Sequence, residues 1–117
     1  MNKTAEPVIF VFWYEFVKWV FEKTEKFPKK VRLSMTHRMQ NLSLDILEKL
    51  TEARFSGDKH PLLKDADKKI ERLLVLFRLS HDLKLINEKG YEFASDQLGQ
   101  AGKMVGGWIK QQERKNM

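Results

Sequence analysis

The sequence predicts an all-α protein, an antiparallel up-down-up-down four-helix bundle that fills a single domain over residues 1–117. Three observations predict it. Apolar residues recur at intervals of three and four over long stretches. Prolines and short turn signals cut the chain into four such stretches. No segment shows the sustained alternation, rich in β-branched residues, that a half-buried strand requires. Four helices joined by short connections pack as antiparallel neighbours around one core.

The first helix opens at Pro7, a residue suited to a first turn, and runs to about Lys26. Pro28 ends it, because proline has no amide proton and pushes the residue before it out of helical conformation. The second helix starts near Pro28 and reaches about Phe55, with Val31, Met35, Met39, Leu42, Ile46, Leu50 and Ala53 on its apolar line. Ser56-Gly57-Asp58 is a turn signal, and Pro61 restarts a third helix that extends to about Leu85. Ala66, Ile70, Leu73, Leu74, Phe77 and His81 make one face of it. Asn87-Glu88-Lys89-Gly90 supplies the last turn, and the fourth helix covers about Tyr91 to Gln112. Only the ends, Met1–Glu6 and Glu113–Met117, are expected to fray.

Composition narrows the function classes. With 32% charged residues and a longest apolar run from Val8 to Tyr14, the chain has nothing near the roughly 20 apolar residues a bilayer requires. Glu15, Lys18 and Glu22 interrupt that run, so it does not read as an export signal either. The absence of cysteine removes disulfides, thiolate chemistry and the usual structural zinc sites. A cytoplasmic protein with no membrane partner is the expectation. No arrangement of His37, His60 and His81 has metal-ligand spacing, and no nucleophile–base set or phosphate loop is evident, so neither an enzyme nor a cofactor site is expected.

The net charge of +6 and a pI near 9.6 bear on partners rather than on fold. Lys103, Lys110 and Arg114 fall within about 40° of one another on a helical wheel. On the third helix Lys64, Lys68 and Arg72 are four apart, with Arg78 near the same side. Lys29, Lys30, Arg32 and Arg38 open the second helix with no acidic residue among them. A single basic stripe is usually a solvated face. Three of them with weak acidic compensation favour a surface that tracks phosphates. No aromatic residues interleave with the stripes, which argues against base stacking there.

Two helices exceed what a monomeric bundle needs. The first is apolar nearly all round, and a four-helix bundle has no central position in which to hide such a helix. Burial against a second subunit is expected, with Phe12, Trp13, Phe16 and Trp19 as contact residues. The fourth carries Gly99, Gly102, Gly106 and Gly107 inside an unbroken helical period, each costing roughly 1 kcal/mol relative to alanine. The alternatives are a kinked or frayed end and close approach by another helix or a ligand. Close approach is the better fit, and it adds Gly102, Gly106 and Gly107 to the expected interface.

Several segments together resemble a known family. They are Phe27-Pro28-Lys29-Lys30 with Arg32-Leu33, the run Leu47 to Ala53 (LEKLTEA), the run Leu73 to Leu85 (LLVLFRLSHDLKL) and, most specifically, Gly99 to Lys110 (GQAGKMVGGWIK). Over about residues 7 to 112 the chain is similar to the accessory variability determinant of diversity-generating retroelements. The same fold appears in proteins encoded by intervening sequences of bacterial 23S ribosomal RNA genes, an interaction module without a reverse transcriptase partner. Thr51-Glu52-Ala53-Arg54 departs from the isoleucine-alanine-glutamate-glycine ending of those relatives and favours the retroelement branch. The resemblance implies a non-catalytic homopentameric barrel with a basic surface. It implies as partners the retroelement reverse transcriptase, its template RNA and DNA/RNA hybrids, in support of mutagenic copying into cDNA.

Overall fold

The computed structural model describes residues 7–115. Four helices account for most of them: α1 (Val8–Thr24), α2 (His37–Phe55), α3 (His60–Asp82) and α4 (Glu88–Lys115). No strand occurs among the described residues. The expected fraying of Met1–Glu6 lies outside the described residues, as do Asn116 and Met117. Glu113, Arg114 and Lys115, also expected to fray, instead continue α4.

Cross-helix bonds fix the antiparallel order. Thr36 Oγ1 donates to the Thr24 carbonyl at 3.3 Å, joining the end of α1 to the approach of α2. Ser80 Oγ meets Met39 Sδ at 3.5 Å, pairing the start of α2 with the end of α3. His60 bonds Glu113 at 3.0 Å while His81 bonds Glu88 at 2.8 Å, so both ends of the α3–α4 pair are tied. α1 closes the square against α4, with Trp19 and Phe93 rings 4.8 Å apart. The core runs along the shared axis and contains Trp13, Val20, Met39, Ile46, Leu63, Leu73, Phe77, Leu98 and Val105, all buried. Burying each large apolar side chain contributes roughly 1.5–3 kcal/mol, which is what holds four individually marginal helices together.

The second helix differs from its expected form. Pro28 is extended, and after it come a 3-10 turn (Lys29–Val31) and a π turn (Arg32–Thr36) before α2 begins at His37. The wider π turn holds one more residue per turn than an α-helix would, and the adjacent Met35 and Thr36 both face inwards. A buried polar chain explains why the widening is tolerated. Gln40 Nε2 donates to Thr24 Oγ1 at 3.0 Å and to Glu25 Oε2 at 2.9 Å, and Thr24 Oγ1 donates to the Val20 carbonyl at 2.7 Å. Among the described residues no buried side-chain polar atom lacks a partner.

The other helix ends follow from capping. Lys59 Nζ donates to the carbonyls of Ala53 and Ser56 at 2.7 and 2.8 Å, satisfying the C-terminus of α2 with a cation where the helix dipole favours one. α3 stops at Asp82, before Leu85. The Leu85 amide bonds the Ser80 carbonyl and the Lys84 amide bonds the His81 carbonyl, the paired bonds of a Schellman motif, with Lys84 at φ 62°. α4 starts three residues before Tyr91 because the Asn87 side chain accepts the Gly90 amide at 2.8 Å, an N-cap inside the segment that reads as a turn. Gly90 is needed there: a Cβ would lie 2.7 Å from Ile86 Cγ1.

Candidate nucleic-acid interface

All eleven basic residues singled out by the sequence are exposed: Lys29, Lys30, Arg32, Arg38, Lys64, Lys68, Arg72, Arg78, Lys103, Lys110 and Arg114. None of them forms an ion pair with a described residue. Several of the acids, by contrast, are engaged. Glu113 is bonded to His60, Glu88 to His81, and Glu25 to Gln40. The hydrogen bond from Lys69 and its nearby charge hold the Asp65 carboxyl below the usual carboxylate range. The eleven cations thus face solvent without a direct carboxylate partner among the described residues.

The fold divides these cations into two groups. Because His60 meets Glu113, the first turns of α3 lie beside the last turns of α4. Lys64 and Lys68 thus share one end of the bundle with Lys110 and Arg114, and Lys103 extends that stripe toward the middle of α4. Lys29, Lys30, Arg32 and Arg38 gather at the opposite end, around the 3-10 and π turns, with Arg72 and Arg78 on the neighbouring half of α3. The α3 stripe connects the two groups: Lys68 and Arg72 are one turn apart on the same face, and Arg72 shares a groove with Arg38.

The glycines of α4 are not approached closely by another helix of the same chain. A Cβ built on Gly99, Gly102, Gly106 or Gly107 meets nothing within 4 Å. Gly99, Gly106 and Gly107 lie within about 60° of Lys103 on the wheel, so they belong to the outward basic face, not to the α3 or α1 contacts.

A family model described as bAvd-like matches residues 8–112, from the first residue of α1 almost to the end of α4. The chain belongs to the bAvd-like family. Comparison with curated proteins and with solved structures gives no match. The resemblance to accessory variability determinants is thus met at the level of the family, and the family is one of accessory, non-catalytic proteins.

In this bAvd-like chain the expected interface residues of α1 separate into two sets. Trp13 and Phe16 are inside the core, so they have no surface to give to a second subunit; that expectation is corrected. The indole of Trp13 donates to the Ser43 carbonyl at 2.9 Å, and the ring of Phe16 stacks on Trp19 at 5.5 Å. Trp19 and Phe12 are half-buried, Trp19 wedged between Phe77 and Phe93 at the α1–α4 seam. What α1 leaves open is Val8, Val11 and Tyr14, of which Val8 is 72% and Val11 47% exposed. Val8 lines a cleft of about 450 Å³ together with Pro7, Ile9, Met104 and Trp108.

One further feature was not singled out from the sequence. Leu33 and Val75 project into solvent beside a groove between α2 and α3. Two signals mark them in retrospect: Leu33 follows directly on a basic run, and Val75 falls off the Ile70, Leu73, Phe77 line. Among the described residues no group of three or more His, Asp or Glu could hold a metal ion. No described helix is long and apolar enough to cross a membrane.

Proposed function

We propose that this chain is a non-catalytic accessory subunit of a diversity-generating retroelement. In the cytoplasm it binds the element's reverse transcriptase together with template RNA and DNA/RNA hybrids, and it works as a homo-oligomer, a pentamer if it follows its family. Polymerisation stays with the reverse transcriptase. The chain contributes contacts that hold the template and the polymerase together during mutagenic copying.

The observation that carries the reading is the set of eleven exposed cations without an ion-pair partner, on a chain whose family is accessory. Each cation that reaches a phosphate releases a condensed counterion, so binding should weaken steeply with salt. Repetition of these basic faces around an assembly axis adds their potentials and strengthens the attraction for a polyanion.

The test is RNA binding across a salt series, for the chain as it stands and for Lys103→Glu with Lys110→Glu. An assembly that covers about six phosphates gives a log–log slope near −5 for duplex. The double variant is expected to bind more weakly, with helicity and solution mass unchanged, because both side chains are exposed. A flat salt response defeats the phosphate-tracking reading. Loss of assembly in the variant moves the α4 stripe into a subunit contact instead.

A further inference from the structure

Along the outer side of the α2–α3 seam runs an open groove of about 710 Å³. Leu42 and Leu76 form its half-buried floor. Leu33 and Val75, 81% and 60% exposed, are apolar lips, and Arg38 and Arg72 stand on the two walls, one from each helix. Asp45 is the single acid among the lining residues, and neither arginine forms an ion pair with a described residue. Past the groove the apolar line continues at four-residue spacing through Leu79 and Leu83, 41% and 53% exposed.

We infer that this groove docks an acidic amphipathic helix of a protein partner. The inference names the chemical class of the protein contact in the function proposed above, and rests on that reading only for there being a protein partner. Three features point to such an occupant. The groove follows two helices, and its α2 side extends from His37 to Asp45, two helical turns, which suits anchors at i, i+4 and i+7 of an incoming helix. The lips and floor are aliphatic, so they reward an apolar stripe and offer nothing to a phosphate. The arginines on the walls, with Lys29, Lys30 and Arg32 just beyond, complement carboxylates on the flanks of that stripe, where the guanidinium fork binds in bidentate fashion.

The same features count against the other occupants. The imidazole of His37 is the single aromatic ring lining the groove, so successive bases of a single strand have no run of rings on which to stack. The exposed apolar face of α1 in a second copy brings Lys18 and Lys23 along with Glu15 and Glu22, and so lacks the net negative charge that the walls call for.

The experiment uses the full chain and two fluorescent synthetic helices with leucines at i, i+4, i+7 and i+11, one flanked by glutamates and the other by lysines. The glutamate helix is expected to bind, and the lysine helix to bind at least roughly tenfold more weakly, about 1.4 kcal/mol. Val75→Gln with Leu79→Gln changes only exposed positions, adds no charge beside Arg72 and Arg78, and is expected to reduce binding of the glutamate helix by about tenfold or more. Its helicity, solution mass and affinity for a template-like RNA are expected to stay as they were. Equal binding of the two helices, or full binding by the double variant, overturns the inference. So does a fall in solution mass, which gives the groove to a second copy, or a loss of RNA affinity, which gives it to nucleic acid. Failure of the unsubstituted chain to bind RNA strikes the functional reading instead and leaves the helix measurements to decide the groove.

Discussion

Trp13 does two things at once: its ring fills the centre of the bundle, and its indole N–H is bonded to the Ser43 carbonyl at 2.9 Å. The two contributions are separable. Trp13→Ala removes the ring and the bond together and is expected to destabilise by about 3–5 kcal/mol, read from the shift of the urea midpoint. Trp13→Phe keeps most of the ring and loses the bond, with an expected cost of about 1 kcal/mol plus a smaller packing term. A loss for Trp13→Phe as large as for Trp13→Ala contradicts this division, and a small loss for both contradicts its central place. Trp13 also shows how far a single residue can be read from sequence. An all-round apolar helix betrays an excess of hydrophobic surface, but not which of two adjacent rings turns inwards. The 100° step from one residue to the next sends Trp13 into the core and Tyr14 to the outside.

For α4 the sequence shows the glycines and hides their surroundings. Helical period persists through Leu98, Ala101 and Val105, all buried, so most of α4 was legible, apart from its first turn and its last residues from Glu113 to Lys115. That turn reads as a loop because Asn, Gly and charged residues are loop formers, whereas Asn87 uses its side chain to begin the helix. The π turn before α2 was hidden for a related reason: Val31, Met35 and Met39 keep a spacing of four whether the turn between them is α or π. The open space around the α4 glycines yields a prediction. Since a Cβ at Gly99 or Gly106 meets nothing within 4 Å, alanine there gains helix propensity without a clash. Gly99→Ala with Gly106→Ala is expected to stabilise by about 1 kcal/mol per site and to raise the thermal midpoint by several degrees. An unchanged or lower midpoint means that another chain's backbone already occupies that face, since none of the described residues of this chain does.

At the scale of the whole molecule, the square arrangement separates two kinds of exposed surface. α1 packs against α2 and α4 and stands diagonal to α3, so the apolar outer face at Val8 and Val11 points away from Lys64 and Lys68. The separation was out of reach of sequence, because it depends on which helices are neighbours and which are diagonal, whereas the number of helices and their alternating direction follow from proline, turn and period alone. It has a consequence for assembly. Subunits that associate through α1 bury apolar surface and leave the basic faces outward, where their potentials add. Val8→Glu with Val11→Glu tests this directly, because the two side chains are 72% and 47% exposed and their loss should leave the fold intact. If α1 is the contact, light scattering after gel filtration should show a multiple of 13.9 kDa for the natural chain, roughly 70 kDa for a pentamer, and a monomer for the variant. RNA affinity should fall with it, by about a hundredfold or more, although no basic residue has been touched, because linked sites bind far more tightly than separate ones. An assembled variant clears α1 of the role. A variant that is monomeric yet binds RNA with full affinity means that one chain's basic surface suffices, and that assembly serves the reverse transcriptase contact instead.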